Sequence, residues 1–146
     1  MKTLKQILIA VLGVVMAIQL AQGQNYKAPK IDASGKITNA KGQLIGSVTK
    51  EGTISDASGV KVAYVDSQGN MVDAKTGKKI GKPDKNGIVL PYFAETPDKG
   101  WSISAPMNGT CLVKDSDGKV KAEVHENYKQ FGVCAIHCLT KKMDLQ

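Results

Sequence analysis

A short unit that opens on a glycine with an apolar residue two places later recurs through this chain: Gly35/Ile37, Gly52/Ile54, Gly69/Met71, Gly87/Val89 and Gly109/Cys111. Self-similarity at a period of about 17 to 22 residues means one supersecondary unit copied along the chain, each copy too small to bury its own apolar face. Turn signals of four residues punctuate the copies: Asp32–Gly35, Asn39–Gly42, Asp56–Gly59, Asp66–Gly69, Asp84–Gly87 and Asp115–Gly118. A leading Asp or Asn can accept a hydrogen bond from the backbone two residues on, and a closing Gly supplies the left-handed position of a three-residue hairpin loop. Gly77 closes the same turn with one extra residue. The pattern predicts an all-β meander of short strands.

Aligning the longer strands on Gly42, Gly59, Gly77 and Gly118 gives three columns. The third place holds Ile45, Val62, Ile80 and Lys121; the fourth holds Gly46, Ala63, Gly81 and Ala122; the sixth holds Val48, Val65, Pro83 and Val124. Strand geometry puts the fourth and sixth places on one face. A column of only Gly and Ala implies close approach of other chain to the backbone, as at a crowded axis. Ile37, Ile54, Met71, Val89 and Cys111 are expected to form a further apolar column from the short strands.

Residues 1–23 read as a signal peptide. Lys2 and Lys5 form a basic start, Ile7–Leu20 an apolar run, and Ala21-Gln22-Gly23 a small-residue cleavage signal. The run has 14 residues, fewer than the roughly 20 of a membrane span, so stable insertion is not expected. Cleavage before Gln24 would leave residues 24–146 as a single domain, exported to the periplasm or the extracellular space. The net charge is +7, and every basic residue is a lysine. Without guanidinium groups, and with the lysines scattered singly, the composition argues against nucleic-acid binding and for a solvated coat.

The unit Gly-x-Ile…Asp-Ala-x-Gly…Ile-Gly, as in Gly52–Ala63 and Gly69–Gly81, lies between this leader and a Cys-containing apolar C-terminus. In this it resembles the five-fold β-flower proteins, small exported bacterial proteins. The resemblance implies five β-hairpin petals around a pseudo-five-fold axis, with no established activity and no catalytic residues. The chain departs from the pattern after Val89, where the fourth unit lacks its turn, and at Lys121. The alternative arrangement is a stacked β-hairpin solenoid, although choline-binding solenoids are far richer in aromatics than a chain with 5%.

Cys111, Cys134 and Cys138 are the first candidates for chemistry, with His137 between the last two. Read as a strand, the C-terminal segment separates Cys134 from Cys138 by about 13 Å and turns His137 to the opposite face. A disulfide from Cys111 to Cys134 or Cys138 would close a loop of about two dozen residues, worth roughly 3 kcal/mol. Buried thiols and a metal site with His137 are the other readings, and a cysteine- or metal-dependent activity at Cys111, Cys134, His137 and Cys138 is the alternative function. No cofactor is implied. Asp115-Ser-Asp117-Gly118 lacks the further ligands of a calcium loop and reads as a bare turn.

The stretch from Pro91 to Asn108 interrupts the repeat and gathers Tyr92, Phe93 and Trp101. Loops on a rigid scaffold are where binding surfaces are placed, so these three rings are expected to line a recognition surface, unless they plug the imperfect fourth unit. The function expected is non-enzymatic: an exported binding or structural domain for a glycan, peptide or envelope protein. Unpaired strand edges and an odd cysteine also leave self-association open.

Overall fold

The computed structural model describes residues 28–91 and 101–144, with side chains through Lys141. The leader, Tyr92 and Phe93 lie outside them. The elements are β1 (Lys30–Ile31), β2 (Lys36–Thr38), β3 (Leu44–Val48), β4 (Ile54–Asp56), β5 (Lys61–Val65), β6 (Met71–Asp73), β7 (Lys79–Pro83), β8 (Val89–Pro91), β9 (Ser102–Ile103), β10 (Thr110–Lys114) and β11 (Val120–His125). A 3-10 turn over Glu126–Tyr128 then leads into one helix, α1 (Gly132–Asp144). All strands join in one mixed, open sheet in the order β8-β7-β6-β5-β4-β3-β2-β1-β11-β10-β9. Neighbours are antiparallel except β1 and β11, which pair in parallel with Lys30 opposite Glu123.

The turn chemistry is realised almost residue by residue. In Asp56–Gly59, Asp56 Oδ1 accepts from the Ser58 and Val60 amides at 2.9 and 3.0 Å, and the Gly59 amide donates to the Asp56 carbonyl at 3.0 Å. The same bonds recur at Asp32, Asn39, Asp66, Asp84 and Asp115. Thr49–Gly52 builds an equivalent loop in which the Thr49 hydroxyl accepts from Thr53 at 3.1 Å. One glycine differs. Asn108 and Gly109 have φ of 51° and 80°, and Met107 and Thr110 exchange both backbone bonds across them. That is a two-residue type I′ turn, not a three-residue loop.

Several of these carboxylates are held below the ordinary value of 3.8: the Asn70 amide does so at Asp66, and the Thr76 amide at Asp73. A depressed carboxylate adds stability above its unfolded pKa and loses it as pH falls through the folded pKa. Melting temperature is therefore expected to drop steeply only below about pH 4; calorimetry from pH 6 to 2 checks this.

The apolar column is real, with one correction. Ile37 pairs with Gly46, Ile54 with Ala63 and Met71 with Gly81, and the fifth equivalent is Val113 opposite Ala122. Ile37, Ile54, Met71, Val89 and Val113 are all fully buried. Cys111 instead pairs with Val124, the place that Gly35, Gly52 and Gly69 take beside Val48, Val65 and Pro83. The Asn108–Gly109 turn had shifted the alignment by two residues. The third-place residues are the extra ones at register shifts, where two residues oppose one. Such bulges bend the strand, and Ile45, Val62 and Ile80 pack against the core.

The C-terminal segment is a helix, which corrects the strand reading; the described fold is hairpin-rich and mostly β, with this one short helix added. Residues 132–144 hold no internal Gly or Pro, and Ala135, Leu139, Lys141 and Lys142 favour helix. The first turns of α1 are buried all round, with Val133, Cys134, Ala135, Ile136 and Leu139 in the core. The helix touches β3, β8 and β11. At about 4.8 Å per strand, β8 and β11 would stand almost 40 Å apart in a flat sheet, beyond the reach of a helix about 20 Å long. The sheet therefore curls round α1. Its two edges are short, and β8 is partly capped by the Val89 amide donating to the Gln130 carbonyl at 2.8 Å.

Candidate functional site

Where α1 emerges from the core, its exposed side and the β5–β7 region enclose a groove of about 670 Å³. Val62 from β5 and Ile80 from β7, the two bulged residues, line it together with Val60 and Ala74. His137, Cys138 and Lys141 contribute from the helix. Lys61, Lys75 and Lys79 add three more cations from the sheet, against one carboxylate, Asp73. Lys61 sits over the Tyr64 ring at 5.4 Å, and Lys79 Nζ reaches Gln68 Oε1 at 3.4 Å. Asp73 is held by its own turn, its Oδ1 accepting from the Lys75 and Thr76 amides at 2.9 and 2.8 Å.

Helical geometry revises the cysteine reading. His137 and Cys138 are neighbours on the groove wall, while Cys134 lies one turn earlier in the core against Gly81. All three cysteines are free, so the expected disulfide from Cys111 to Cys134 or Cys138 is not formed. Cys111 lies instead within the fields of Lys129 and Glu126. Burial pushes the Cys138 thiol up to about 11, and the Asp73 charge adds to this against Lys141. Burial drives Cys134 higher still and raises Cys111. Burial lowers His137, helped by Lys141. A neutral thiol beside a neutral imidazole is not an activated nucleophile. Among the described residues no three His, Cys, Asp or Glu side chains group to hold a metal ion.

Two outcomes follow. At pH 8 Cys138, a thiol pushed up to about 11, should alkylate at least about tenfold more slowly than an exposed cysteine. Cys111 and Cys134 should label only after unfolding, which intact mass over a time course reads. The depressed His137 binds fewer protons folded than unfolded, so its stabilisation is complete above about pH 6.5 and fades below it. The substitution His137→Gln should remove this shallow first limb of the acid melting curve and leave the steep one.

Of the three aromatics expected at a recognition surface, Trp101 alone is described. It is half-buried, packs against the core, and meets His137 edge-on with ring centroids 6.3 Å apart at 90°. It supports the groove's imidazole. Asp115, set aside as a calcium ligand, accepts from the Asp117 and Lys119 amides and pairs with Lys121 at 3.4 Å. The groove lysines were absent from the sequence candidates because they lie far apart in the chain. The one available signal was the apolar third column beside the small fourth. No known family model, no curated protein and no solved structure matches the chain.

Proposed function

We propose that this chain is an exported, non-enzymatic binding domain of the β-flower kind, with hairpin units set around an axis that the C-terminal helix fills. The contact of one helix with β3, β8 and β11 supports a closed arrangement over a stacked solenoid, where each unit would touch only its neighbours. The observation that carries the binding reading is the groove itself. Its volume falls within the range of small-molecule sites, and its described wall sets four aliphatic residues beside five charged ones. The raised Cys138 thiol favours binding over cysteine chemistry. No helix among the described residues is long and apolar enough to cross a membrane.

The test has two parts. The full chain expressed with its leader should yield a product beginning at Gln24 outside the cytoplasm. That product should change its Trp101 emission with one class among glycans, peptides and small amphiphiles, because Trp101 lies behind the groove's His137. Retention of the leader inside the cell would overturn export. Silence across all classes, by fluorescence and by calorimetry, would overturn binding.

A further inference from the structure

We infer that the groove beside α1 is a site for a small anionic amphiphile: a carboxylate head among Lys75, Lys79 and Lys141, and an aliphatic chain along Val60, Val62 and Ile80. This rests on the binding reading above and names its ligand class. Charge complementarity selects the head. Among the described residues four lysines and one carboxylate line the groove, and that carboxylate is already bonded within its own turn. Lysine presents a compact point charge on an apolar stem, suited to a single headgroup, whereas extended phosphate tracks favour arginine forks and stacking rings.

The tail is selected by what lies between the lysines. Val60 is 59% exposed, and of the three strongly exposed large hydrophobics among the described residues it is the one that lies in this concavity. Val62 and Ile80 are half-buried there because the bulges add them beyond the fully buried fourth column. The directions of the Cys138 and His137 shifts mark the same wall as poorly hydrated, so both side chains present themselves uncharged. The described lining residues offer a glycan no aromatic platform, since none of them is Trp, Tyr or Phe.

The probes are octanoate, decanoate and dodecanoate, the matching primary alcohols, and dodecylammonium, titrated below their micelle concentrations into the mature protein at low salt. Affinity of the acids should rise about three- to fourfold per methylene until the groove is full. Alcohols should bind at least about tenfold more weakly, and the ammonium not at all. Lys141→Glu and Lys75→Glu should each weaken dodecanoate by about tenfold, an effect that shrinks with salt. Val60→Asp, at an exposed position, should do likewise while leaving the melting temperature unchanged. Lys50→Glu, on a distant turn, should change nothing. Equal binding of acids and alcohols, or indifference to Lys141→Glu and Val60→Asp, overturns the assignment. Binding of an acidic peptide or a glycan in place of the acids overturns the ligand class but keeps the binding domain. No binding by any class sinks both.

Discussion

A chain ending at Gln130 is expected not to fold. The residues removed include Phe131, Val133, Ile136 and Leu139, all in the core. Burying four such side chains is worth roughly 6–12 kcal/mol, as much as the roughly 5–15 kcal/mol that holds a typical domain together. The sheet curls because α1 lies inside it, so the strands lose their common partner as well as the area. Near-ultraviolet circular dichroism of Trp101 and limited proteolysis would read the loss. A well-dispersed, protease-resistant truncation would mean that the hairpins close on themselves. Leu139→Ala is the milder version, with an expected cost of about 2–5 kcal/mol.

Gly46→Ala and Gly81→Ala should each cost about 3 kcal/mol, the upper end for an overpacked core. A methyl at Gly46 would run into the Ser55 carbonyl oxygen and reach within 2.6 Å of a Leu139 methyl. At Gly81 it would lie 2.7 Å from Cys134 Sγ and 2.8 Å from the Leu90 carbonyl oxygen. Neither glycine needs a positive φ, so space alone is at issue. Combining Gly81→Ala with Cys134→Ala should recover part of the loss, because the sulfur is removed while the Leu90 carbonyl stays. Denaturant titrations of the four proteins of that cycle give the coupling. Strict additivity would mean that helix and strand do not meet as described.

The turns and columns were legible because their chemistry is local. An Asx side chain bonds two and four residues ahead, and the Gly-Ala column announces close approach whatever does the approaching. What approaches was not legible. After a run of short strands the apolar C-terminal segment reads as one more, although Val133, Ile136 and Leu139 carry helical spacing as well. Cys111 falls outside the column because the two-residue turn at Asn108–Gly109 closes on glycine just as the longer loops do. The groove was hidden more deeply. Lys61, Lys79 and Lys141 converge only once the sheet has curled and the helix has seated, and each alone looks like a solvated surface charge. The bulges that deliver Val62 and Ile80 to it are a backbone event that period-two reading cannot express.

The parallel seam between β1 and β11 has a kinetic side. Every other strand pair joins near neighbours in sequence or crosses a modest loop, and such hairpins form within about 1–10 μs. The seam instead brings Lys30 opposite Glu123, 93 positions away. Its ion pair, at 3.0 Å but largely solvated, adds little to hold it. The entropy of that closure must be met before the contact returns anything, so this one pairing should set the rate of folding for the whole array. A chain emerging N-terminus first would pair β1 with β2 at once but carry its other edge unmatched until β11 appears. It would stay pliable for as long as it is being made or threaded, and commit to shape only at the end.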